Sequence, residues 1–266
     1  MTRSLRLAIN GASGRMGTAL LDLLRGDTRF ELVHAVVAAG SPHDGQPVSV
    51  GAGGSLRYAH DWNTAPAFDV VIDFSSPAAL ASVLDHCLEH GAALVSGTTG
   101  LDPALEKRLT NAGRQLAILR AANFSLGVAV LTRLLREAAA VLPSWDMEII
   151  EAHHGRKRDA PSGTALALGH AAAAARQVSL QATAVYSREG QLGERVEGSI
   201  GFASVRGGDI VGEHTAMLIG QGERLELVHR ATDRSIFARG ALQAASWLVN
   251  QAPGQWQLDD VIAMPH

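Results

Sequence analysis

Strands that alternate with helices through the first half, a glycine-rich turn at the first strand–helix junction, and a change of texture after about residue 125 predict two domains. The first is a doubly wound α/β half built on a parallel sheet. The second is a smaller α+β half with a mixed, largely antiparallel sheet. Residues 5–10 (LRLAIN) read as a short apolar strand, followed directly by GASGRMG at 11–17. Residues 18–25 repeat leucine at helical spacing and stop at Gly26. Residues 31–37 form a second strand, and the apolar run at 68–74 a third, continuous enough for burial on both faces. Pro77 sits where a first helical turn tolerates proline, so 78–89 is a helix ending at Gly91. A fourth strand at 93–96, a helix from Asp102-Pro103 to Gly113 and a fifth strand at 116–119 complete the alternation.

Past residue 125 the order changes to a long helix at 128–142, a strand at 146–152 and an alanine-rich helix at 164–177. Three strands then follow one another (199–203, 210–219, 224–230) with glycine-rich turns between them, and a helix at 235–250 closes the chain. Residues 40–54 and 181–198 read as loops. The expected division is a first domain at 1–124, completed by 234–266, and a second at 125–233.

The composition excludes several function classes. With 23 basic and 26 acidic side chains, a net charge of -3 and a pI near 6.4, the chain lacks the basic surface of a nucleic-acid binder. No run of apolar residues is long enough to span a membrane. Residues 1–5 lead straight into a strand without the apolar stretch of a signal peptide, so a cytoplasmic location is expected. One cysteine, Cys87, fits a reducing compartment and excludes a cysteine-built metal cage. Of the 23 basic residues 21 are Arg, and only Lys107 and Lys157 are Lys. Together with 44 alanines that skew reads as GC-rich coding bias, yet it draws attention to a lysine retained in a chemical site.

The Gly11-x-x-Gly14-x-x-Gly17 spacing opens a helix directly after a strand. Small residues there let backbone N–H groups reach a pyrophosphate, and the helix start favours negative charge, which points to a Rossmann-type dinucleotide site. Such a site has an acidic residue at the end of the second strand to hold the adenosine ribose. Here that segment is Val37-Ala38-Ala39, with neither a carboxylate nor an Arg, so the choice between NADH and NADPH stays open; Asp44, in the following loop, is one substitute. Gly97-Thr98-Thr99-Gly100 and Ala121-Ala122-Asn123-Phe124 follow the fourth and fifth strands, where ligands of open parallel sheets sit.

The run EAHHGRKRDAPSGT at 151–164 crowds titratable groups into one strand-to-helix connection. Ser162 or Thr164 suits a helix N-cap, and the N–H groups there form an anion pocket beside His154, Arg156 and Lys157. Histidine exchanges protons near neutral pH. Zinc binding by His153 and His154 is disfavoured, because adjacent strand residues face opposite sides and no third ligand is suitably spaced, so no metal is expected.

The segments GASGRMG (11–17), SGTTG (96–100), AANFSLG (121–127), EAHHGRKRDAPSGTA (151–165) and GEHTAM (212–217) resemble, in order along the whole chain, the dihydrodipicolinate reductase family. The resemblance implies reduction of a small cyclic dicarboxylate, 4-hydroxy-tetrahydrodipicolinate, with NADH or NADPH in the diaminopimelate–lysine pathway. It implies His153 as acid/base residue and Lys157 as proton donor. His154, Gly163 and Thr164 would hold a substrate carboxylate, with Ser162 and Arg234 as neighbours. Gly11, Ala12, Ser13, Gly14, Arg15 and Met16, with Gly97, Thr98, Thr99, Ala121, Ala122, Asn123 and Phe124, would hold the dinucleotide. The second domain would bind substrate and assemble a homotetramer. The family's acidic residue at the end of the second strand has no counterpart here. Two alternatives remain at this point: a dehydrogenase of another small acid, and a non-catalytic nucleotide sensor.

Overall fold

The computed structural model describes residues 3–50 and 56–262. The chain divides into two compact units: residues up to Leu126 together with those from Ser235 onward, and Gly127–Arg234.

The first unit is built on seven strands: β1 (Leu5–Asn10), β2 (Phe30–Val36), β3 (Tyr58–Ala59), β4 (Val70–Asp73), β5 (Ala93–Ser96), β6 (Ala117–Arg120) and, from the C-terminal segment, β12 (Gly254–Trp256). Their order is β12-β6-β5-β4-β1-β2-β3, with every pairing parallel. From β1 the chain winds to β2 and β3 on one side, then crosses to β4 on the other. The ends of β1 and β4 therefore flank the switch point where such sheets bind ligands.

Helices on this sheet start and stop at readable signals. α1 (Arg15–Leu24) buries Leu20, Leu21 and Leu24. α2 (Pro77–His90) is capped by Ser76, whose Oγ accepts from Ala79 N, and ends at Gly91 with φ +70°. α3 (Pro103–Ala112) is capped by Asp102, whose carboxylate accepts from Leu105 N at 2.7 Å. Val71, Leu80, Leu84, Leu94, Leu109 and Ile118 form the centre of one core. α7 (Ser235–Leu248) packs small residues inward: an added Cβ on Gly240 would lie 1.7 Å from the Phe124 carbonyl oxygen.

The second unit carries a five-stranded sheet of β7 (Asp146–His153), β8 (Ala184–Val185), β9 (Ile200–Arg206), β10 (Gly212–Ile219) and β11 (Arg224–Ala231), in the order β11-β10-β7-β9-β8. β10 is antiparallel to β7 and β11, while β9 is parallel to β7 and β8. The sheet is thus evenly mixed. The parallel half arises because α5 (Gly163–Ala175) and the one-turn α6 (Leu180–Thr183) return the chain to the starting edge of β7 before β9 begins. α4 (Leu126–Val141) and α5 cover one face through Leu131, Leu135, Leu168 and Ala172, which meet Met147, Ile149, Phe202 and Leu218.

Three short strands and two one-turn helices, α6 and α8 (Leu258–Val261), go beyond the sequence expectations. β8 and α6 fall at the edge of the expected loop at 181–198. The last part of the expected loop at 40–54, residues 51–54, lies outside the described residues.

Candidate active site

The β1–α1 turn is shaped by its glycines. Gly11 has φ +84°, and a Cβ there would lie 2.4 Å from the Phe74 carbonyl oxygen. A Cβ on Gly17 would lie 2.4 Å from the carbonyl oxygens of both Gly11 and Ala12. Gly14 is the N-cap of α1 with no side-chain cap, which leaves the helix start open to an anion. Gly11, Ser13 and Gly14 line a cleft of about 390 Å³ together with Asn10, Ser75 and Ser76. These residues fit a dinucleotide pyrophosphate, because each side chain that would obstruct it is missing.

Beneath the turn lies a buried carboxylate. Asp73 accepts from Asn10 Nδ2 (2.8 Å), Ser96 Oγ (2.7 Å), Thr98 Oγ1 (2.7 Å) and Ser75 Oγ. Burial pushes its carboxyl above the ordinary value, against the lowering effect of these hydrogen bonds. The cluster ties together the ends of β1, β4 and β5, and so fixes Gly97–Thr99. Thr98 is spent on this task, with its hydroxyl also accepting from Ser75 N. Ala12 and Phe124 are buried, Phe124 edge-on to Phe74 at 5.3 Å, so only their backbone is available to a ligand. Arg15 and Met16 begin α1. Gly97–Thr99 and Ala121–Phe124 follow β5 and β6 along the same sheet edge but do not line the cleft itself.

At the β2 end, Val37, Ala38 and Ala39 line the cleft without a charge. The polar groups there come instead from His60 and Asp61, which no motif in the sequence singles out. His34 Nε2 lies 2.9 Å from the Asp61 carbonyl oxygen and anchors that wall, and Asp44 is taken by His60 Nδ1 at 2.8 Å.

The second unit gathers the 151–164 run at the end of β7. Strand alternation puts Glu151 and His153 on the sheet face covered by α5. His153 Nδ1 donates to Glu151 Oε2 at 2.6 Å. Arg206 grips the same carboxylate with two bonds, 2.6 and 2.8 Å, and Ser162 N donates to Glu151 Oε1 at 3.1 Å. Glu151 is 1% exposed. Burial would raise its pKa, but hydrogen bonds from Arg206, Ser204 and His153 outweigh that and hold it at about 2. Gly212 on β10 makes room beside the imidazole, since a Cβ there would lie 3.0 Å from His153 Nε2.

His154 is fixed through its backbone N, which donates to the Ile210 carbonyl at 2.8 Å. Desolvation and then the positive charges of Arg234, Arg156 and Lys157 push its imidazole below the ordinary value, so these cations share one neighbourhood. Lys157 Nζ pairs with Asp159 Oδ1 at 2.9 Å. Ser162 caps α5, its Oγ accepting from Ala165 N at 3.1 Å, and Gly163 faces open space. The structure therefore brings together His153, His154, Lys157, Ser162, Gly163, Thr164 and Arg234 within one unit. To these it adds Glu151, Arg206 and His214. His214 Nε2 lies 3.1 Å from Ser162 Oγ, while burial, and then the nearby His153, lower its pKa to about 4.

Comparison with known proteins gives a consistent result. Residues 5–124 match the family model "Dihydrodipicolinate reductase, N-terminus" and residues 127–262 the model "Dihydrodipicolinate reductase, C-terminus". Over 264 residues the chain is 47% identical to a 4-hydroxy-tetrahydrodipicolinate reductase of Xanthomonas campestris pv. campestris (strain B100), covering 98% of this chain and 99% of that one. A protein of the same name from Xanthomonas euvesicatoria pv. vesicatoria (strain 85-10) is 46% identical with the same coverage. Among solved structures, a dipicolinate-bound dihydrodipicolinate reductase from Paenisporosarcina sp. TG-14 shares the fold, with TM-score 0.79 and 24% identity, over 97% of this chain and 100% of that one. Matched along both halves by the family models and over nearly its whole length by these relatives, the chain belongs to the dihydrodipicolinate reductase family.

Proposed function

We propose that the chain reduces 4-hydroxy-tetrahydrodipicolinate to tetrahydrodipicolinate with NADH or NADPH, the first unit binding the dinucleotide and the second the substrate. The observation that carries this reading is the grouping of Arg234, Arg156, Lys157 and His153 around His154, with the His153 imidazole locked by Glu151, whose other oxygen accepts from the N-cap residue of α5. The reduced nicotinamide supplies the hydride. Replacing the 4-hydroxyl by hydrogen also consumes a proton, and the oxygen leaves as water. His153 and Lys157 are the groups that hold and release protons there, an assistance worth on the order of 10²–10⁴-fold in rate.

The substrate's carboxylates meet Lys157, Arg234 and His154 on one side and the α5 start at Gly163 and Thr164 on the other. Ser162 contributes by holding that turn, since its hydroxyl is already shared with Ala165 N and His214. On the first unit, Gly11–Met16, Gly97–Thr99 and Ala121–Phe124 hold the dinucleotide, largely through backbone groups.

A homotetramer of cytoplasmic chains completes the proposal. The open face of the second sheet exposes Ile150, Val205 and Val228, with Ile150 and Val228 in register on either side of Thr215 and Val205 opposite Ala152, two residues along β7, a face that suits sheet-to-sheet association. Among the described residues no helix is long and apolar enough to cross a membrane.

The test is a comparison of initial rates with NADH and NADPH on 4-hydroxy-tetrahydrodipicolinate, alongside Lys157→Ala. The variant is expected to lose turnover by about 10²-fold or more while dinucleotide affinity stays unchanged. Absence of turnover in the parent protein with either nucleotide refutes the activity. An unaffected rate in the variant refutes the role of Lys157.

A further inference from the structure

We infer that Glu151, clamped by Arg206, is a positioning residue that fixes the tautomer of His153 and sets its proton affinity, so that Nε2 is the atom that exchanges protons. The inference rests on the assignment of His153 as the proton-exchanging group, and it concerns a carboxylate that this assignment leaves without a task.

The geometry constrains the chemistry closely. An ionised carboxylate only accepts hydrogen bonds, so the Nδ1···Oε2 contact of 2.6 Å requires the proton on Nδ1. Nε2 is then the basic nitrogen, and it lies toward Gly212, where the absence of a side chain leaves room. Glu151 has no freedom to turn away. Both its oxygens are bonded to Arg206, and Oε1 also receives Ser162 N. This last bond links the imidazole to the first residue of the α5 cap, so proton exchange and carboxylate binding share one rigid support. Carboxylates that orient metal-ligating histidines typically carry 10–100-fold effects when removed, and the same scale is taken here by analogy.

The charges that face His153 come from every element around it. β7 supplies Glu151, β9 supplies Arg206, and the loop after β7 supplies His154, Lys157 and Asp159. β10 supplies His214 at 5.2 Å between ring centroids, with His229 of β11 behind it in register. His214 is held neutral by burial, so at neutral pH Glu151 is the anion in direct contact with the imidazole and Arg206 the cation that offsets it.

That arrangement predicts two shifts of opposite sign. Glu151→Gln removes the anion and leaves Arg206, so the His153 pKa falls. Arg206→Gln removes the cation and leaves the anion, so it rises. The measurement is an NMR titration of the His153 Cε1–H in dinucleotide-free protein, assigned by its loss in His153→Gln, together with pH profiles of kcat/KM. The expected result is a fall of about one unit or more in Glu151→Gln and a rise in Arg206→Gln. In the profiles, kcat should drop about 10–100-fold in Glu151→Gln with substrate KM little changed. A merely structural role would lower stability without moving either titration. Unchanged pKa values, or shifts of the same sign in both variants, overturn the inference. Because the titration needs no turnover, it separates failure of this inference from failure of the reductase assignment. If one variant does not fold, the sign of the other's shift still decides.

Discussion

Gly17→Ala opposes two effects of known size at the turn proposed to hold the dinucleotide. In an exposed helix interior the change would favour folding by about 1 kcal/mol. Here the new Cβ would stand 2.4 Å from two carbonyl oxygens, those of Gly11 and Ala12, and 2.5 Å from the Ala12 carbonyl carbon. Unstrained contacts need about 3.5 Å, so the turn must retreat from α1 by roughly 1 Å. All the contacted atoms belong to the backbone, so no rotamer relieves them. Overpacking of this kind costs about 1–3 kcal/mol, and the rigid partners put it toward the upper end. The net expectation is a loss of about 1–2 kcal/mol, or a Tm lower by about 3–6 °C in a chain of this size. Displacing N–H donors by that distance from a pyrophosphate loses at least one charge-assisted bond, so dinucleotide affinity falls about tenfold or more. Thermal unfolding and fluorescence titration with NADH measure both effects. Gly26→Ala, at the other end of α1 with no atom within 4 Å, is the control and should change neither. A Gly17→Ala protein with parental Tm and affinity would refute the steric reading of the turn.

Stability should ramp downward in acid in two contiguous windows. His214 is neutral when folded, with a pKa of about 4 against 6.5, so the unfolded chain binds more protons and stability falls as pH drops from 6.5 to 4. Glu151 is ionised when folded, with a pKa of about 2 against 4.5, so its contribution, present above pH 4.5, is lost between 4.5 and 2. Each shift corresponds to about 3 kcal/mol. Urea unfolding as a function of pH should show the upper window flattened in His214→Gln and the lower one in Glu151→Gln. Equal slopes in variants and parent would contradict both assignments. Sedimentation should show four chains per particle, and Val205→Glu, which puts a charge on the open sheet face, should reduce that number.

The parts of the molecule that the sequence disclosed are those in which neighbours along the chain do the work. β4 is buried at every position, and such a strand reads as an unbroken apolar run. α2 and α3 announce themselves through Ser76, Asp102 and the prolines that follow. The strands that stayed hidden, β3, β8 and β12, have two or three residues and exist because a distant strand offers them an open edge. Too short for any period, they carry no local signal. The candidate site divides along the same line. His153, Lys157 and the α5 cap lie within one run, whereas Arg206 and His214 reach it only through the register of β9 and β10. Glu151 was within reach of the sequence, since Glu-x-His on a strand puts both side chains on one face. What selects it is Arg206, 55 residues further on.

Two ion pairs in the second unit show how the same attraction serves opposite ends. Glu151–Arg206 is bidentate, and its carboxylate is 1% exposed, so breaking it would strand a buried charge at a cost of several kcal/mol. Lys157–Asp159 is a single contact in which the aspartate is 59% exposed, a geometry worth about 0–1 kcal/mol. An arriving dicarboxylate can therefore take Lys157 from Asp159 at little cost, exchanging one carboxylate for another. It cannot take Arg206 from Glu151. The buried pair fixes the imidazole and the helix cap, and the open pair holds an ammonium by a single exposed contact. A guanidinium at position 157 would keep the charge but could not give up a proton, because it stays protonated at any working pH. On the proposed role of Lys157 as proton donor, that difference is the reason for one of only two lysines in a chain that otherwise uses arginine.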